Sequence, residues 1–316
     1  MERVAVRDRP PAEAVARGEG KAGSGIAALD PVPPVLLLLA GVTSIQFGAA
    51  LAATLFDDAG AAGTSLLRLG FAAVVLVAIW RPRLSAHRPE HVRLAIVFGV
   101  VLGAMNLTFY EALSRIPLGV AVTIEFLGPI TVATLLSRRR LDLLWIALAG
   151  FGVVLLAAPW SDVGLDGLGV FFALMAATFW GIYIVVAQRA SRFYDGGEGL
   201  AIASVAAAGV ALIPGLAEAG TDLLDVRLLA LGFVVALMSS VIPYSLETEA
   251  LRRMPANVFG VLMSLEPAVA ALAGFLVLSQ DLGEREIAAI ALVVAASIGV
   301  TRTGAMSTPA EATIDA

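Results

Sequence analysis

Six ionisable side chains fall inside long apolar runs of this 316-residue sequence: Arg68, Glu111, Glu125, Glu247, Glu249 and Glu266. At the centre of a membrane helix an Arg or Asp costs about 2.5–3.5 kcal/mol, so such groups mark ion or substrate pathways unless a partner neutralises them. Glu111 and Glu249 carry that partner in the sequence. Arg115 and Arg253 follow them by four residues, a stabilising helical spacing, near run ends where side chains reach the interface. Glu125 and Glu266 stand deeper, four residues and one residue before Pro129 and Pro267. A mid-span proline frees a carbonyl and kinks its helix, and transporters use such breaks to build polar sites. Carboxylates placed there can bind a proton or a substrate amine. The alternative is structural, with Arg68 or a hydroxyl neutralising them, and Glu266 serving the kink beside Pro267. Arg68, in the run LLRLG, can clamp a substrate carboxylate or balance Glu125, and both uses require it to face the interior of a helix bundle.

Polar and aromatic residues at similar depth could line a cavity with them: Gln46, Asn106, Tyr110, Trp180, Tyr183 and Tyr244, with Ser44 and Ser245. Interhelical hydrogen bonds and aromatic belts use the same residue types, so both readings stand. Pro243 is a third candidate helix break. Metal and redox chemistry find little support. There is no cysteine, and His87 and His91 sit in a basic stretch read as a solvated loop. Asp57–Asp58 is the sole acidic doublet, with no partner at ligand spacing. No cofactor is expected. A membrane-embedded enzyme, such as a lipid or prenyl transferase, lacks its ligands here.

The elements that must position these residues are membrane helices. Hydrophobic residues make up 59% of the chain, mean hydropathy is +0.89 and charged residues are only 15%, where a soluble domain would carry about 25%. Apolar runs near the length needed to cross a hydrocarbon core of about 30 Å recur along the sequence. Read against proline, glycine and charge punctuation, they give ten spans: 34–56, 62–80, 93–112, 118–136, 143–159, 168–188, 198–216, 228–248, 256–278 and 285–302. The expected fold is all-α. Residues 1–32 and 304–316 read as disordered cytoplasmic tails, without the apolar core of a signal peptide.

EALSRIP at 111–117 returns as EALRRMP at 249–255, an offset of 138 that also carries Leu127 onto Leu265 and Pro129 onto Pro267. The chain therefore reads as two five-helix repeats, 33–159 and 160–303. An odd number of spans per repeat makes the second enter the membrane upside down, an arrangement suited to alternating access. The first spans of the two halves agree weakly, through Thr43, Phe47 and Gly48 against Thr178, Trp180 and Gly181. Of the 21 basic residues, 17 fall on one side of the ten spans and three on the other, with Arg68 inside a span. The positive-inside rule puts both termini in the cytoplasm. Gly99 and Gly103, and the small residues of AIASVAAAGVA, predict close helix packing.

On these residues the sequence resembles the EamA-type drug/metabolite transporters. TIEFLGPITVATLLSRRR (123–140) and SSVIPYSLETEALRRMPANVFGVLMSLEPAVAALAGF (239–275) are similar to the bacterial threonine/homoserine exporter branch. The resemblance covers the ten spans and not the tails. It implies a multi-pass inner-membrane secondary transporter exporting small amino acids or related metabolites, driven by proton antiport. The partners implied are a small-molecule substrate, a proton and the lipid bilayer, with no nucleic acid. The same scaffold also admits a drug, a purine or an aromatic amino acid as solute, and uncoupled diffusion. One departure stands out: many members carry an acidic LGE residue where this chain reads Leu278–Ser279–Gln280.

Overall fold

A computed structural model describes residues 31–136, 140–157, 165–194 and 196–305. The described residues are helical, joined by short turns and containing no strand. In chain order they are α1 (Pro34–Ala53), α2 (Phe56–Trp80), α3 (Pro89–Leu113), α4 (Leu118–Glu125), α5 (Leu127–Leu136), α6 (Arg140–Ala157) and α7 (Gly167–Ala190). There follow α8 (Glu198–Ala219), α9 (Val226–Ala236), α10 (Ile242–Arg253), α11 (Ala256–Met263), α12 (Glu266–Leu278) and α13 (Glu284–Ala305). The tails, and the connections at 137–139 and 158–164, lie outside the described residues.

Among the described residues, eight segments are long and apolar enough to cross a membrane: Pro34–Ala53, Phe56–Trp80, Pro89–Leu113, Leu118–Leu135, Gly167–Ala190, Glu198–Leu224, Val226–Arg253 and Val258–Leu278. α6 contributes a shorter apolar stretch, Leu143–Leu155. The protein is a polytopic helical membrane protein. Large apolar side chains such as Val74, Leu135, Ile213 and Phe275 point outward, and small ones such as Ala50, Ala52, Ala203 and Ala207 fill the contacts between helices. Prolines place several starts: Pro34 and Pro89 open α1 and α3, and Pro117 and Pro255 immediately precede α4 and α11. A missing N–H costs nothing at the first turn.

The GxxxG of α3 packs as the sequence suggests. A methyl group at Gly99 would collide with the carbonyl of Ala203, and one at Gly103 would lie 2.8 Å from that of Ala207, both on α8. Glycine is required there because the two backbones touch. On the other flank of α8, Glu218 reaches α2. Its Oε2 accepts from the N–H groups of Ala62 (2.6 Å) and Gly63 (3.3 Å), just after Gly60 leaves helical geometry with φ +69°. The sequence begins this span at 62, but helix already runs from Phe56, and the break at Gly60 falls inside it.

Three interruptions shape the centre. α4 gives way to α5 at Phe126, three residues before Pro129, and α11 gives way to α12 at Ser264–Leu265, just before Pro267. Between α9 and α10 the chain widens into a π turn, Leu237–Val241, just before Pro243. All three proline breaks expected from the sequence therefore coincide with a real irregularity. Proline removes the donor that would satisfy the carbonyl four residues earlier, and its ring crowds that carbonyl.

His87 departs from its expected solvated loop. Its Nε2 lies 2.9 Å from Glu198 Oε2, and its ring packs 4.5 Å from that of Tyr194, while His91 stacks on Phe193 at 4.1 Å. Burial and the neighbouring Glu198 push the Tyr194 hydroxyl above its ordinary pKa. These contacts tie the turn after α2 to the start of α8, where Trp80 also packs on Gly196 and Gly197. Among the described residues no group of His, Asp and Glu could hold a metal ion.

Candidate functional site

The interruptions and α1 surround a cavity of about 170 Å³. Eight of the candidate residues line it: Gln46, Arg68, Asn106, Glu125, Trp180, Tyr183, Tyr244 and Glu266. The ninth, Tyr110, stands just behind, fully buried, donating no wall but accepting from Arg68. Candidate residues from seven different helices therefore meet at one place.

Arg68 is 6% exposed and faces the interior. Its Nη2 donates to the Ser239 carbonyl at 2.9 Å, Nη1 to Tyr110 Oη at 3.3 Å and Nε to Ser240 Oγ at 3.4 Å. Its guanidinium carbon also lies 5.5 Å from the centre of the Tyr110 ring. Ser239 is four residues before Pro243, so the carbonyl that the proline leaves without its helical donor is the one Arg68 captures. Ser44 on α1 donates to the next exposed carbonyl, Met238, at 2.7 Å. Gly48 allows that approach, since a methyl group there would overlap Ser239 Oγ. Three of the five guanidinium N–H donors are thus used on the scaffold, and Arg68 forms no ion pair among the described residues. It does not neutralise Glu125 or Glu266 by direct contact.

Glu125 closes α4 and Glu266 opens α12, so each carboxylate sits at a helix break, 8% and 5% exposed. Glu266 Oε1 accepts from Gln46 Nε2 at 3.2 Å. Its other oxygen, and Gln46 Oε1, are buried with no hydrogen-bond partner. Buried acceptors without donors are uncommon and call for an explanation, such as a ligand that is absent. Two acceptors in one small cavity are complementary to a group rich in N–H donors. Tyr183 and Tyr244 both line the wall and bring two hydroxyls to it. Asn106 donates to the Leu102 carbonyl at 2.8 Å, leaving its oxygen available.

The wall also includes Ile45, Met105, Phe109, Val122, Met263 and, most consequentially, Glu247, an ionisable residue noted in its apolar run but assigned no role there. Glu111 and Glu249 behave as their spacing implies. Arg115 pairs with Glu111 at 3.2 Å, and Arg253 and Arg252 pair with Glu249 at 3.3 and 3.4 Å. Ser245 turns away and donates to the Val241 carbonyl. A larger groove, about 630 Å³, runs between α5 and α7. It is apolar apart from Thr131, Thr178 and Arg189 and holds no carboxylate, so it cannot supply this chemistry.

Gln280 explains the altered LGE position. Its Oε1 accepts from the N–H of Leu118 at 2.9 Å and so caps the start of α4. Close approach depends on Gly274, where a methyl group would sit 2.6 Å from that oxygen. A neutral acceptor does here what a carboxylate at the same place would do.

Residues 167–302 match the EamA-like transporter family. The threonine/homoserine exporter RhtA of Escherichia coli strain K12 is 40% identical over 272 residues, spanning 85% of this chain and 92% of that protein. The exporter of the same name from Salmonella typhimurium strain LT2 shows the same identity over the same shares. A crystal structure only 20% identical superposes with a TM-score of 0.55 over 86% of this chain and 98% of its own, a likeness of fold alone. With its polar cavity at the helix breaks and relatives that align along most of its length, the chain belongs to the EamA-like transporter family, on the branch that contains these exporters.

Proposed function

We propose that this protein exports small hydroxylated amino acids of the threonine and homoserine class from the cytoplasm, in exchange for protons. The observation that carries this reading is the pair of unpartnered acceptors, Glu266 Oε2 and Gln46 Oε1, in a cavity that also holds a guanidinium. An ammonium group supplies donors to both acceptors. The two guanidinium N–H groups of Arg68 not used on the scaffold receive the substrate carboxylate. A side-chain hydroxyl finds partners in Asn106 or the Tyr183–Tyr244 pair. Size supports the class. About 170 Å³ is well below the roughly 300–1,000 Å³ of pockets for drug-sized ligands. A drug is thereby disfavoured, and the names of the relatives point to threonine and homoserine.

The scaffold of this exporter is ten spans in two inverted halves, 33–159 and 160–303, with both termini in the cytoplasm of the producing cell and the protein in its inner membrane. α4 supports the repeat: shifted by 138, its residues 118–125 coincide with 256–263, the bounds of α11. The contact between Arg227 and Asp58 (3.5 Å) joins two loops assigned to the outer side, as the His87–Glu198 contact joins two assigned to the inner side. Substrate enters from the cytoplasm and its ammonium sits against Glu266 and Gln46. A proton arriving from outside binds Glu125 or Glu266, removes the negative charge that held the ammonium and lets the substrate leave outward.

Uptake of labelled threonine and homoserine into everted membrane vesicles tests the proposal. Acidifying the vesicle interior should stimulate uptake at least tenfold, and Glu266→Gln and Glu125→Gln should each abolish the stimulation. Uptake that ignores the gradient, or survives both substitutions with its gradient response intact, would overturn proton exchange at these carboxylates.

A further inference from the structure

The cavity contains a third carboxylate that this exchange leaves without a task. Glu247 lies on α10 and lines the wall, yet among the described residues it forms no hydrogen bond and no ion pair. Its neighbour on the same helix, Glu249, has both Arg252 and Arg253. Two residues along a helix turn the side chain by about 200°, which separates a paired carboxylate from one facing the cavity.

What surrounds Glu247 makes it suited to a proton rather than to a substrate. On α12 and α4, Glu266 and Glu125 line the same small cavity. On α7 and α10, Tyr183 and Tyr244 line the same wall and place hydroxyls in the cavity with it. On α2, Arg68 acts on Tyr244 but forms no ion pair with Glu247. On α1 it meets Gly41, where a methyl group would stand 3.2 Å from its Cγ. One cation faces three carboxylates, so the cavity has more negative charge than Arg68 and one substrate ammonium can offset.

The carboxylates are also spread in depth. Glu125 is seven residues, about 10 Å, from the start of α4, and Glu247 is five residues, about 7.5 Å, before Arg252 at the opposite face.

Resting on the proton-exchange reading above, we propose that Glu247 is the inner proton-carrying carboxylate of the site. A proton leaves the carboxyl of Glu266 and binds the carboxylate of Glu247, directly or along the Tyr183–Tyr244 hydroxyls. It then passes to cytoplasmic water as the site opens inward. Glu266 regains its charge and can accept the next ammonium, and Glu247 returns to its starting state. Glu247 acts on the proton alone and makes no contact with substrate.

Two assays on the purified full-length protein in liposomes separate this role from binding. Exchange of labelled for unlabelled threonine at equal pH needs no net proton release, whereas uptake driven by a pH gradient does. Glu247→Gln should lose at least tenfold in gradient-driven uptake and retain a far larger share of exchange. Glu247→Asp, which keeps a titrating group on a shorter stem, should recover part of that uptake and guards against a misfolded glutamine variant. Loss of exchange in well-folded Glu247→Gln would make Glu247 a substrate contact and overturn the proposal. Gradient-driven uptake at the parent rate in both variants would overturn it too. A parent protein that exchanges threonine but ignores the gradient sinks the proton-exchange reading itself, and Glu247 with it.

Discussion

Arg68 holds a helix defect open as much as it offers charge to a ligand. Its contact with the Ser239 carbonyl exists because Pro243 cannot supply an N–H there. Lysine keeps the charge but cannot reach a carbonyl, a serine and a tyrosine from one planar group. Arg68→Lys should therefore lose transport at least tenfold and lower the unfolding temperature in detergent. Arg68→Ala should cost about 1–3 kcal/mol for the orphaned carbonyl alone, read from the same melts. Tyr110→Phe, which removes one acceptor while keeping the ring beneath the guanidinium, should cost about 1 kcal/mol or less. Most of the candidate site was legible at this scale, because a buried charge or a mid-span proline is conspicuous in an apolar run. Glu247 stood out as a charge, but its place in the cavity did not. It lies after the π turn, which inserts an extra residue and rotates all that follows by about 100° relative to an uninterrupted helix. Only the tertiary register separates it from Glu249, two residues on.

At the level of elements, helix ends and contacts between helices set the shape of the cavity. α4 starts under Gln280, a residue 162 positions away, so its cap comes from the far end of the chain. Gln280→Glu should preserve the cap, since an anion at a helix start is favourable, and Gln280→Leu should cost about 1 kcal/mol in a thermal melt. The α3–α8 contact is stricter. Gly99→Leu forces a side chain into the Ala203 carbonyl and should cost about 1–3 kcal/mol or more, seen as a lower folded yield by size-exclusion chromatography. The GxxxG and the prolines announced these elements from composition alone. The break at Gly60 was silent, because what sustains it is Glu218 on another helix, and a contact across 156 residues leaves no local pattern.

For the molecule as a whole, the absence of cysteine turns the proposed topology into a direct experiment. Ser114 after α3 and Ser191 after α7 are both exposed, and the proposed topology sets them on opposite sides of the membrane. Ser114→Cys should react with a membrane-impermeant thiol reagent in intact cells, and Ser191→Cys only in everted vesicles. Reaction of both from the same side would refute the ten-span arrangement. The proposed repeat was visible as a phrase of sequence, and residues 118–125 of α4 shifted by 138 coincide with the bounds of α11. The repeat is not a copy in its chemistry, however. Shifted by 138, Glu125 falls on Met263, and Glu266 falls on Gly128, where α5 touches the Ala177 carbonyl and no side chain fits. The two acids are thus displaced by three residues, about 4.5 Å along the helix, from the axis that would relate them. A perfectly twofold carrier would find its two orientations equal in energy. In the proposed exporter an ammonium held by Glu266 lies off that axis, so one orientation is preferred at rest, before any gradient is applied.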